Sequence, residues 1–175
     1  MRTHVALLWF AGALLMGAQA AAQTPSDLNA RCVNAGRTFS HEEQVLACTH
    51  QISQPGISVQ SQAQYYNNRG NAFRANREYG SAIADYDEAI RLDPTYANAF
   101  NNRGIANRAA GLADRAVADF TAALRISPEM ANAYGNRGNA YADRGELSRA
   151  LSHFTRAVQL TPDFANAYNN RGNLY

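Results

Sequence analysis

The chain has no lysine: all 16 basic residues are arginine, set against 14 acids for a net charge of +2. So small an excess creates no field that gathers nucleic acid or anionic lipid, which argues against a nucleic-acid partner. Long apolar runs are missing too. The run Val5–Met16 covers about 12 residues, where a bilayer span needs about 20. His41-Glu42-Glu43 and His50 do not give the His-Glu-x-x-His spacing that sets two imidazoles on one helix face, so no metal site is expected. No nucleophile–base pair stands out either, and His153 is the one candidate acid–base group in the repeats described below. A catalytic role and a cofactor are therefore not expected. With 46% hydrophobic and 17% charged residues, the composition is that of a folded chain.

The N-terminus reads as a signal peptide. Arg2 and His4 precede the apolar run, and Ala18-Gln19-Ala20 with Ala21 and Ala22 suits cleavage after Ala20 or Ala22. A retained anchor is the alternative. Residues 1–22 are thus expected to be removed, leaving a periplasmic or secreted chain that is not inserted in the membrane.

The octet Ala97-Asn-Ala-Phe-Asn-Asn-Arg-Gly104 has near copies at Ala63–Gly70, Ala131–Gly138 and Ala165–Gly172, always 34 residues apart. A fixed period of that size marks a helical-hairpin repeat, whose units bury their apolar faces by stacking. In the first unit Tyr66, Gly70 and Phe73 fall on one helix, with Tyr79, Ala82, Tyr86 and Ala89 on the next and Pro94 ending it. Phe100, Gly104, Ala116, Phe120, Ala123 and Pro128 follow in the second unit. Tyr134, Gly138, Tyr141, Ala150, Phe154, Ala157 and Pro162 follow in the third. These spacings keep one face of each helix apolar.

Upstream, His41–Ile52 aligns with Tyr79–Ile90 at an offset of 38, which sets Cys48 on Tyr86 and Cys32 on Gly70. The two cysteines should then face each other across a degenerate hairpin spanning 23–62. Its helices are expected at Asp27–Ala35 and His41–Ser53, joined by Gly36–Ser40, with Ser40 and Glu43 as a capping box. In an exported chain such a pair reads as a disulfide between Cys32 and Cys48; two buried free thiols are the alternative.

The aromatic–x₃–Gly–x₂–aromatic, Ala–x₃–aromatic–x₂–Ala and Pro pattern resembles the tetratricopeptide repeat, over Ala63–Tyr175, and its Asn-Asn-Arg-Gly wording resembles exported bacterial members. The resemblance implies an all-α, right-handed superhelical solenoid with units at 63–96, 97–130 and 131–164 and a partial one at 165–175. Asn107 departs from the pattern, standing where an aromatic is usual, and a looser second hairpin core is expected there. Arg77 departs as well, taking the turn position of Gly111 and Gly145, and a tighter-bound first turn is expected there. Arg69, Arg103, Arg137 and Arg171 occupy a position where the family commonly has leucine. A partly buried cation needs a partner, and Asp85 and Asp119 recur 16 residues after the first two, with His153 replacing the acid in the third unit.

The resemblance also implies that the first helices line a concave face where ligands bind. That face carries Asn67, Asn71 and Arg74, then Asn98, Asn101 and Arg108, then Asn132 and Asn139, then Asn166, Asn169 and Asn173. An Asn side chain both donates and accepts, so such a ladder suits the backbone of an extended peptide, with Arg74 and Arg108 as anchors for a carboxylate. A solvated repeat consensus is the alternative. If the asparagines are solvated, replacing Asn101 and Asn139 by Ala leaves the thermal midpoint nearly unchanged. The expected role is a non-catalytic scaffold for a protein or peptide partner; an interaction arm of a longer protein, working beyond residue 175, is the other reading. The fourth unit holds Tyr168 and Tyr175 but no second helix, so an apolar, self-associating C-terminal edge is expected.

Overall fold

The computed structural model describes residues 24–33 and 39–173. The expected signal peptide, most of the Gly36–Ser40 turn, and Leu174 and Tyr175 lie outside the described residues. Among those residues there are helices and no strands: α1 Pro25–Cys32, α2 His41–Ile52, α3 Val59–Ala75, α4 Tyr79–Leu92, α5 Ala97–Ala109, α6 Ala113–Ile126, α7 Ala131–Asp143, α8 Leu147–Leu160 and α9 Ala165–Gly172. Each helix packs on the next, and the first helices α3, α5, α7 and α9 also touch one another in succession. The arrangement is an all-α solenoid of helical hairpins.

Local chemistry explains the helix ends. Asp93, Ser127 and Thr161 each precede a proline, whose ring disfavours the helical conformation one residue earlier; all three leave the helical conformation, Asp93 and Thr161 for extended backbone, and α4, α6 and α8 stop there. In the three repeat units the first helices α3, α5 and α7 close with paired backbone bonds, such as Glu78 N–H to Phe73 C=O at 2.9 Å and Arg77 N–H to Arg74 C=O at 3.0 Å. That closure needs a positive φ, which Gly111 and Gly145 provide and which Arg77 adopts at 63°. The expected capping box of α2 is present, with Glu43 N–H donating to Ser40 Oγ at 3.2 Å and Ser40 N–H to Glu43 Oε2 at 2.9 Å. Helix α1 differs from the expected span: it starts at Pro25, because Thr24 and Asp27 form a second capping box, and it ends at Cys32.

The core repeats one contact. A Cβ built on Gly70, Gly104 or Gly138 would stand 2.8, 2.6 or 2.7 Å from the ring of Tyr86, Phe120 or Phe154, so only glycine lets these fully buried rings lie against the first helix. Burial of each ring contributes about 1.5–3 kcal/mol. In the N-terminal hairpin the same two places hold Cys32 and Cys48, joined by a disulfide with their Cα atoms 4.7 Å apart.

Three arginines of the expected ladder, Arg69, Arg103 and Arg137, each span a joint between units. Arg69 donates to both Asp85 oxygens at 2.8 and 2.7 Å, and through Nη1 to Thr49 of the preceding second helix at 2.9 Å. Arg103 repeats this with Asp119 at 2.6 Å and with Asp87 of α4 at 2.6 Å. The Arg69 and Arg103 guanidinium groups also lie over the rings of Tyr66 and Phe100, at 5.3 and 5.5 Å. Asn107, expected to leave its core loose, is buried and donates to Asp119 at 2.8 Å, so a polar contact fills the place of a ring.

Candidate functional site

The asparagines predicted from sequence do lie along the first helices, and the structure divides them into two groups. Asn67 and Asn101 are 5% and 4% exposed. Asn102 donates to Asn67 at 2.9 Å and Asn136 donates to Asn101 at 3.1 Å, each bond joining consecutive first helices. The expectation that Asn101 is solvated is corrected here: it is buried and bonded between units. At the next step Gly135 stands where an asparagine would continue the row, with the Phe164 ring against it, and Asn170 reaches Asn139 instead at 2.9 Å. These three bonds form a spine that fixes the spacing of the first helices.

The second group faces solvent. Asn98, Asn132 and Asn166 are exposed, one per unit at a spacing of 34, and Asn169 and Asn173 are exposed on α9. Asn71 is half-buried and accepts from the Tyr86 hydroxyl at 2.9 Å. Burial pushes the Tyr86 phenol up to about 12, so it stays a donor at any ordinary pH. Arg74 is half-buried beside it, with an Nε–H that has no acceptor. Arg108 is exposed and forms an ion pair with Asp143 on α7, so of the two expected carboxylate anchors Arg74 alone has no acid within ion-pair distance among the described residues.

The donors Asn102, Asn136 and Asn170 and the acid Asp143 were not anticipated. The sequence does carry a signal for the donors, the doublet Asn-Asn at 67–68, 101–102 and 169–170. In the 101–102 doublet Asn101 accepts from the following unit and Asn102 donates to the preceding one, whereas the donor Asn136 follows Gly135. Among the described residues no group of three or more His, Cys, Asp or Glu side chains is arranged to hold a metal ion, and no helix is long and apolar enough to cross a membrane.

The TPR repeat family model matches residues 70–111 and 138–175. Those two segments are similar to tetratricopeptide repeats. The solenoid is similar to the Arabidopsis OM64 tetratricopeptide domain, at 26% identity and TM-score 0.65, covering 67% of this chain and 97% of that one. It is similar to the second tetratricopeptide domain of human RPAP3, solved in complex with the HSP70 peptide SGPTIEEVD, at 26% identity and TM-score 0.64, covering 67% and 98%. The MamA RS-1 ArsTM double mutant shares the fold over 86% of this chain and 82% of its own, at 19% identity and TM-score 0.72. No curated protein matches the chain. Tetratricopeptide repeats mediate protein–protein interaction, and the matched segments include Asn71, Arg74, Asn98, Asn101, Arg108, Asn139, Asn166, Asn169 and Asn173.

Proposed function

We propose that this chain is a non-catalytic interaction scaffold that holds an extended peptide segment of a partner along its first helices. The observation that carries the reading is the exposed file Asn98, Asn132 and Asn166, set at one residue per unit over a bonded spine of buried asparagines. Side chains that donate and accept at a regular interval suit a peptide backbone, and their pre-set spacing lowers the ordering cost of binding. The human RPAP3 domain, which was solved with a peptide, supports the reading by likeness. We also propose an exported, oxidising location for the mature chain. The Cys32–Cys48 bond and the apolar run ahead of Gln23 support it.

The experiment is selection of peptides from a random display library on the full chain, followed by titration against the triple variant Asn98→Ala, Asn132→Ala, Asn166→Ala. The expected result is at least a tenfold loss of affinity with the thermal midpoint unchanged, since exposed asparagines contribute little to stability. Equal affinity for both proteins would show that the exposed file is not the binding surface.

A further inference from the structure

Three guanidinium groups occupy the same place in three successive units, and the third has no counter-ion among the described residues. Arg69 and Arg103 each face an aspartate 16 residues on. Arg137 faces His153 there instead, with Nη2 to Nδ1 at 3.4 Å, and donates through Nη1 to Thr121 at 3.1 Å. No carboxylate stands within ion-pair distance of it among the described residues. Its Nε–H is buried and without an acceptor, whereas that of Arg69 donates to Asp85 at 2.8 Å and that of Arg103 to Asp119 at 3.1 Å. The electrostatics follow the contacts. Arg69 is raised chiefly by its hydrogen bond to Asp85, and Arg103 is raised because Asp119 and Asp87 outweigh its burial; Arg137 is lowered by burial.

The surroundings of Arg137 offer further donors. A guanidinium only donates, so its contact with His153 makes Nδ1 an acceptor and leaves the imidazole proton on Nε2. That Nε2–H has no acceptor among the described residues. The ring is held in place by stacking on Tyr141, with centroids 5.2 Å apart and planes 8° from parallel. Tyr134, whose ring lies 5.6 Å from the Arg137 guanidinium, and His153 both line a cavity of about 570 Å³ together with Ser148, Ser152 and Arg156. Arg156 reaches Gln159 at 3.5 Å and no acid among the described residues.

We propose that this cavity is an anion site, in which His153 and Arg156, which line it, bind an external carboxylate, and Arg137, behind His153, supplies the positive charge that the two earlier units neutralise with an aspartate of their own. The cavity is lined by α8 and by Tyr134 of α7 and includes none of Asn98, Asn132 and Asn166, so the site stands independently of peptide binding there. A cavity of this size admits more than a carboxylate alone. The carboxylate therefore belongs to a small organic acid or to an Asp or Glu side chain of a docked protein.

The test uses the full chain at pH 7.5, where His153 is neutral, with sodium acetate replacing sodium fluoride at constant ionic strength. The wild-type thermal midpoint is expected to rise by about 2–4 °C at saturation. His153→Asp, which places a carboxylate within the chain, is expected to start higher and to be insensitive to acetate. An equal acetate response in wild type and His153→Asp would overturn the proposal. Titration followed by the imidazole NMR signals of His153 in the wild-type protein gives a check that needs no variant; signals that do not move with acetate also overturn it. The source of the carboxylate is read by comparing acetate with the capped tripeptide Gly-Asp-Gly. Half-saturation at a concentration at least tenfold lower for the tripeptide assigns the site to an acidic side chain, and equal values assign it to a free organic acid.

Discussion

Asn102 donates its side-chain amide to Asn67 at 2.9 Å, and the bond crosses from one repeat unit to the next. Asn136 and Asn101 repeat the relationship one unit further on, so asparagines that look alike in sequence split into a buried, bonded set and an exposed set. Replacing Asn101 by Ala should destabilise the fold by about 1–2 kcal/mol, because it strands the Asn136 donor and opens a gap between α5 and α7. Asn98→Ala should fall within about 0.5 kcal/mol of wild type. Urea unfolding of both variants checks the difference, and equal midpoints would mean that the spine contributes nothing.

Arg103→Ala should cost about 2–3 kcal/mol, since it leaves Asp119, whose side chain is 7% exposed, without its principal cation. The ion pair of Arg108 with Asp143 is about 40% exposed on both sides, and Arg108→Ala should cost less than about 1 kcal/mol. Thermal melts rank the two, and a smaller shift for Arg103→Ala would refute the burial argument.

Gly104→Ala sets a methyl group 2.6 Å from the Phe120 ring and should destabilise by about 1–3 kcal/mol through overpacking. Phe120→Leu in the same chain should recover part of that loss, because the two residues share one space. Gly80 is helical with nothing within 4 Å of a built Cβ, so Gly80→Ala should be neutral or stabilise by up to about 1 kcal/mol. A simple sum of the Gly104→Ala and Phe120→Leu losses in the double variant would show that the contact is not the source of the strain.

Acid should weaken the third hairpin through His153. Burial first, then the charges of Arg137 and Arg149, push this imidazole down to about 4, below its ordinary 6.5. The unfolded chain therefore takes up the proton first. The stabilising effect of the neutral ring is fully present above about pH 6.5 and is lost as the pH falls toward 4. His153→Gln should flatten that slope, and melts between pH 7.5 and 4.5 measure it; identical slopes would show that the ring titrates normally.

The fold was legible because its signals are periodic. The 34-residue step put the glycines opposite the aromatic rings, and the 38-residue offset brought Cys32 and Cys48 onto that same contact. Arg69 with Asp85 and Arg103 with Asp119 were legible too, since both partners sit within one hairpin. Contacts between units were harder to read. The bonds from Asn102 to Asn67 and from Arg103 to Asp87 depend on how far one hairpin is rotated and shifted against the next, which a one-dimensional period does not specify. The start of α1 was missed for a local reason. Thr24 and Asp27 cap it with a short acid, where the usual capping signature has Glu or Gln.

The arginines at the joints have a further consequence for how the array comes apart. Because Arg103 holds the second helix of its own unit and that of the unit before, neither hairpin can detach alone without stripping a charge pair from its neighbour. The Arg103 joint thus couples its two units into a larger cooperative block, in the manner of a strong nearest-neighbour term in a linear chain. The Arg137 joint has a threonine and a neutral imidazole in place of two acids, and it is the weak link in that chain. Under tension or in mild denaturant the solenoid should part there, between α6 and α7, while the segment before it stays closed.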